Sequence, residues 1–221
     1  MNLVLYGGGH EWENDHLDLE AIGLTGKKSP SFTYIPAGSY ESEIEFRALI
    51  KQYQQFGVKR FLHFSIDVDY DQTLKEEAFN SDIIHLGGGN TYYFLKYLRS
   101  KGILGELKKF VKNGGVLTGL SAGGIVMTPT IHTAGFPEFD CDDNDENIKN
   151  LKALSLVDFE FFPHYRNSKR YDKELLDHST RIKRPLYACP DGSGISVSGK
   201  SLKFHGRVFC FFEGKKIVVS K

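Results

Sequence analysis

Cysteine is scarce in this chain: Cys141, Cys189 and Cys210 are three residues among 221. An odd number at wide spacing does not build a disulfide framework, and no C-x-x-C pair offers zinc ligands. Three reduced, mostly buried thiols are expected. An excess of one charge is also missing. Lys and Arg number 28, Asp and Glu 28, so the formal net charge is zero. A nucleic-acid binder needs a net or clustered positive field. The opening Met1-Asn2-Leu3-Val4-Leu5-Tyr6 has no basic n-region and too short an apolar run for a signal peptide. No stretch approaches a membrane span. The expectation is a soluble cytoplasmic protein with no nucleic-acid or membrane partner, as a monomer or homodimer.

Several ligand motifs are lacking too. Gly7-Gly8-Gly9 and Gly87-Gly88-Gly89 do not extend to G-x-G-x-x-G, because Trp12 and Tyr92 occupy the last position. No Gly-Lys-Ser/Thr occurs, so there is no phosphate-binding P-loop. His10-Glu11 lacks the second histidine of H-E-x-x-H, since His16 falls two positions late. The acidic run 140–146 begins like a calcium loop but has Asp145 where glycine belongs and Leu151 where the bidentate glutamate belongs. No metal and no cofactor is expected.

What the chain does have is alternation of short apolar runs with helical patterns. The runs 3–6, 32–36, 61–64, 83–86 and 116–120 are too short for helices and end in turn residues. They read as buried strands of a parallel sheet. Between them, Ile44, Leu49, Ile50 and Tyr53 share a face of a helix over about 41–56. Ile103, Leu104, Leu107, Phe110 and Val111 do the same, closed by Gly114-Gly115. Asn90 or Thr91 caps a helix carrying Phe94, Tyr97 and Leu98. Residues 194–219 read as short antiparallel strands extending one edge of the sheet. The expected architecture is one α/β domain over 1–221 with a mostly parallel sheet, helices on both faces and antiparallel C-terminal strands.

The most informative motif is Gly119-Leu120-Ser121-Ala122-Gly123, a G-x-S-x-G nucleophile elbow between a strand and a helix-like Ile125-Val126-Met127. The tight turn admits only small neighbours, lifts the serine hydroxyl into the open and aims the Ala122 N–H at a developing oxyanion. Gly88 and Gly89, at another strand end, supply the second oxyanion donor. A serine nucleophile needs a base. Of eight histidines, His164 follows a strand in Phe161-Phe162-Pro163-His164, where sheet enzymes place catalytic groups. His10, His63, His85 and His205 read as core or surface imidazoles. The orienting acid is Asp191, in a Pro-Asp-Gly turn, or one of Asp140, Asp142 and Asp143.

Together, Gly87-Gly88-Gly89-Asn90-Thr91, the elbow at 119–123, Pro129-Thr130-Ile131, Pro163-His164 and Pro190-Asp191-Gly192 resemble the peptidase E family. These are serine exopeptidases that release N-terminal aspartate from dipeptides, and cyanophycinase is their relative. The resemblance implies a flavodoxin-like three-layer sandwich akin to class I glutamine amidotransferases. It implies Ser121 as nucleophile, His164 as base and Asp191 as third member, where the family usually has glutamate. The segment after Pro129-Thr130-Ile131, residues 132–137, holds no acid. Asn90 and Arg170 are the implied substrate contacts, with the arginine facing a substrate carboxylate. The implied partner is a short peptide. The alternatives are a catalytically silent binding or regulatory module, a cyanophycinase-like isopeptide hydrolase, or an esterase.

Overall fold

The computed structural model describes residues 1–220. In chain order the elements are β1 (Asn2–Tyr6), α1 (Asp15–Thr25), β2 (Ser31–Ile35), α2 (Ser42–Gln55), β3 (Arg60–His63), α3 (Gln72–Phe79) and β4 (Ile83–Leu86). Then come α4 (Thr91–Ser100), α5 (Ile103–Lys112), β5 (Val116–Leu120), α6 (Ala122–Ile125), β6 (Glu160–Phe162) and α7 (Lys169–Arg181). The chain closes with β7 (Leu186–Ala188), β8 (Gly194–Ser198), β9 (Ser201–His205), β10 (Val208–Phe212) and β11 (Lys215–Ser220).

Seven strands form the main sheet in the order β3-β2-β4-β5-β1-β8-β9. The first five are mutually parallel, and β8 and β9 add antiparallel at the β1 edge. Strand pleating sends alternate side chains to opposite faces. Val4, Phe32, Ile83 and Val116 pack with Leu17 and Ala21 of α1 and Tyr53 of α2. Leu3, Leu5, Ile84 and Leu117 pack with Ala78, Phe94, Leu98, Leu107 and Val111 of α3, α4 and α5. Burial on both faces is why these strands read as unbroken apolar runs.

Two departures from expectation matter. The C-terminal strands do not all extend the main sheet. β8 and β9 do, but β10 and β11 join a second sheet of order β11-β10-β7-β6. The burial of β10 gives the reason: Val208, Phe209, Cys210 and Phe211 are consecutive and all buried, which a half-solvated edge cannot provide. Phe209 and Phe211 instead pack with Tyr171 and Leu175 of α7 and with Leu186. The helix expected through Met127 is a single turn, ending at Ile125. There the Thr128 hydroxyl donates to the Ile125 carbonyl at 2.8 Å, diverting the chain before Pro129.

Helix α1 carries a buried carboxylate on its core side. Asp18 Oδ1 accepts from the Tyr6 and Tyr53 hydroxyls at 2.9 and 2.6 Å, and Gln52 donates to Oδ2. Burial outweighs these bonds and pushes the Asp18 carboxyl up to about 6. A folded value above the unfolded one means that this group's stabilisation is full below pH of about 4 and lost as pH rises through about 6. Buried His85 runs the other way: burial pushes it down to about 4, so its contribution is lost as pH falls through that value. Asp18→Asn is therefore expected to gain stability relative to wild type as pH rises from about 4 to 6, by roughly 3 kcal/mol, with a plateau above. Urea unfolding of both proteins at several pH values checks this; parallel pH profiles would refute it.

Candidate functional site

Ser121 sits between β5 and α6 with φ 51° and ψ −111°, a backbone conformation that side chains other than glycine rarely adopt. Its neighbours explain how the turn closes. A Cβ on Gly119 would collide with the backbone carbonyl of Gly123, and one on Gly123 with the carbonyl oxygen of Leu86. A Cβ on Gly124 would stand 2.7 Å from the Phe161 ring. The elbow is thus pressed against β4 and β6 with no room for side chains. Gly88 lies beside the nucleophile: a Cβ there would be 3.7 Å from Ser121 Cβ. Gly89 follows with φ 129°.

His164 leaves β6 through Pro163 and also has a left-handed backbone, φ 51°. Its N–H donates to the Gly7 carbonyl at 2.6 Å. Its ring nitrogen Nδ1 is 2.8 Å from Asp191 Oδ1, and both side chains are about half exposed, at 48% and 53%. Asp191 is held by its own turn, in which the Ser193 N–H and hydroxyl both donate to the Pro190 carbonyl. Gly192 N–H donates to Gly8 O at 3.0 Å, and Gly7 N–H to Ser193 O at 2.8 Å.

The first glycine run therefore positions the pair. Gly8, at φ 129°, lies directly under it: a Cβ would collide with Asp191 Oδ1 and with the His164 ring. The sequence alone presents 7–9 as a strand end that does not complete a nucleotide-binding motif. The available signal was its likeness to 87–89, a second triple glycine closing a second parallel strand.

Ser121, His164, Asp191 and Gly89 line one cleft of about 560 Å³. The acidic run forms part of its wall through Asp140 and Asp142. These acids are engaged elsewhere: Asp142 accepts from Thr91 N–H at 2.8 Å, and Asp140 from the Tyr171 hydroxyl at 2.5 Å. Of the acids left open by the sequence, Asp191 is the one hydrogen-bonded to His164. Asn90 is occupied as the α4 cap, accepting from Tyr93 N–H at 2.9 Å and donating to the Asp143 carbonyl at 2.8 Å. Arg170 lays its guanidinium 3.4 Å over the Phe139 ring, while Arg166, four residues earlier in the same basic run, lines the cleft itself. Buried His85 bonds Thr118 Oγ1 at 2.8 Å and belongs to the core. Among the described residues, no group of three metal-ligating side chains and no helix long and apolar enough to cross a membrane occurs.

Comparison with known proteins fits this geometry. The model of peptidase family S51 matches residues 3–205. The chain belongs to peptidase family S51. An uncharacterized peptidase of Bacillus subtilis strain 168, YgaJ, is 27% identical over 198 residues, 87% of this chain and 81% of that protein. Peptidase E of Escherichia coli strain K12/DH10B is 32% identical over 113 residues, 51% of this chain but only 46% of its own length. Two solved structures share the fold with TM-scores of 0.72: a peptidase E candidate from Listeria monocytogenes EGD-e, and a peptidase from an acI-B1 Actinobacterium. They are 23% and 16% identical and cover 92% and 99% of this chain, as well as 96% and 93% of their own. This S51 protein is a serine peptidase of the peptidase E family, a hydrolase.

Gly8→Ala is expected to part His164 from Asp191 while leaving the core intact. The His164 imidazole N–H proton resonance, shifted downfield by a carboxylate partner, should move upfield or vanish in the variant. An unchanged resonance would show that the loop absorbs the methyl group.

Proposed function

We propose that this S51 peptidase hydrolyses short peptides from the N-terminal end through Ser121, His164 and Asp191. The observation that carries the reading is the convergence of a strained serine elbow and a bonded His–Asp pair on one cleft. Asp191 accepts from Nδ1, which leaves Nε2 as the basic nitrogen free to act on the nucleophile. His164 takes the Ser121 proton as Oγ attacks the scissile carbonyl. The N–H groups of Ala122 and of Gly88 or Gly89 receive the oxyanion. Collapse transfers the proton to the leaving amine and forms an acyl-enzyme. Water, activated by His164, then releases the acyl residue and restores Ser121.

The cleft also supports a preference for N-terminal aspartate. Arg166 lines it directly, and Arg170 stacks on Phe139 of the same lining, so a substrate carboxylate would meet a cation. In this reading Arg166 takes the role that the family resemblance gave to Arg170, and Asn90 acts through the helix it caps.

Hydrolysis of Asp-Leu, Leu-Leu and isoaspartyl-Leu by wild type, Ser121→Ala, His164→Ala and the double variant tests both parts. Each single variant should lose roughly 10³-fold or more in kcat, and the double variant little beyond that, because the residues act as one unit. Additive losses would refute the shared mechanism. Arg166→Gln should lower kcat/KM for Asp-Leu by roughly tenfold or more and leave Leu-Leu little changed. Equal effects on both peptides would remove Arg166 from the aspartate subsite.

A further inference from the structure

A second cavity, of about 250 Å³, lies on the α1/α2 side of the sheet's C-terminal edge. It meets the catalytic cleft across two pairs of adjacent residues. Gly88 lines this cavity and Gly89 the cleft; Leu120 lines this cavity and Ser121 the cleft. The space thus begins one residue from Ser121 and from Gly89, and Arg166 is not part of its lining.

Its chemistry is one-sided. Glu11, Asp18 and Glu45 line it, and no Lys or Arg does. His85, also in the lining, is held neutral by burial. Asp18 sits among hydroxyls and an amide with no counter-charge, which is why burial pushes its carboxyl up to about 6. A separate observation points to a ligand. Asn14, only 4% exposed, lines the cavity; its amide N–H groups donate to Gly8 O and His10 O, and its carbonyl oxygen is buried without a partner. The lining residues therefore include an unpartnered acceptor beside carboxylates, a set that suits a donor-rich cation.

We infer that this cavity is the subsite for the residue on the leaving side of the scissile bond, and that it selects a cationic side chain, lysine or arginine. The inference rests on the peptide-hydrolysis reading above for its orientation. The volume accommodates a long side chain as well as its charged head. The free carboxylate of a dipeptide stays at the mouth, away from Asp18.

Calorimetry on Ser121→Ala, which binds without turnover, tests it with Asp-Lys and Asp-norleucine, peptides that differ in the side-chain ammonium. Asp-Lys should bind about tenfold or more tightly, the gain of a charge-assisted contact. Adding Glu11→Gln and Glu45→Gln, both at exposed positions, should bring the two affinities together. Ala48→Phe, which fills the cavity from α2 without altering a carboxylate, should weaken Asp-Lys. Equal affinities in Ser121→Ala, no binding of either peptide, or a preference that survives both sets of substitutions would overturn the inference. An affinity difference without turnover by wild type would overturn the hydrolysis reading and leave the cavity's selectivity standing. Turnover without the affinity difference would do the reverse.

Discussion

Bare backbone at Gly7 and Gly8 is the contact on which the site depends. Three hydrogen bonds tie the end of β1 to the His164 and Asp191 loops, two of them to carbonyls of this run and one from its Gly7 amide. Neither glycine has space for a methyl group: at Gly7 it would meet Pro190 O and Cys189, at Gly8 the His–Asp pair. His164 enters from the second sheet, Asp191 from the turn between β7 and β8, and Ser121 from the middle of the main sheet. Only close main-chain approach at the end of β1 can bring these three origins together, and such approach requires residues without side chains.

The same constraint recurs at the elbow, where Gly119 and Gly123 let the Ser121 turn lie on Leu86 O. Ser121 and His164 both occupy left-handed backbone, which costs about 1–3 kcal/mol for each. The surrounding packing holds them there. β4 and β5 are buried nearly throughout, Ala122 to Met127 are buried, and Phe161 of β6 fills the space over Gly124. Strain at these two residues of the cleft lining is balanced by apolar burial directly beneath them, so their backbone is held before any substrate arrives.

This division also explains what could be read from the residues. Strands β4 and β5 were legible to the residue, because burial on both faces produces continuous apolar runs with glycine stops. Helices α2, α4 and α5 were legible because each carries an apolar stripe and, for α4, an asparagine cap. Helix α1 was not: Asp18 occupies a core-facing position and breaks its stripe. Helix α3 is eight residues long and fully buries only Ala78, too little to show a period. The second sheet was hidden because its strands are short and its partners distant in sequence; β6 and β7 have three residues each. Ser121 and Asp191 were readable as strand-end residues in small-residue turns, and His164 as a strand-end residue after a proline. Gly8 was not, since its importance lies in what folds onto it, and no local pattern records that.

The acidic run shows how charge is answered by neighbouring protein groups. Its residues lie along α4. Asp142 accepts from the first N–H of that helix, Asn90 reaches the Asp143 carbonyl, and Lys96 pairs with Glu146 at 2.5 Å. Arg99 continues the line, donating to the carbonyls of Asn150 and Lys152 at 2.9 and 2.8 Å. Negative charge at a helix N-terminus is favourable, and the cations stand further along the same helix to receive the rest. The segment is therefore fastened along most of α4 and forms a standing wall of the cleft. Its acids, engaged by Thr91 and Tyr171, leave Arg166 as the charged group of the lining with neither a hydrogen bond nor a salt bridge among the described residues. Under the proposed reading, the cleft's selectivity follows from which side chains are already committed: the aspartates to the scaffold, Asp191 to His164, and the arginine left for an anionic group of the substrate.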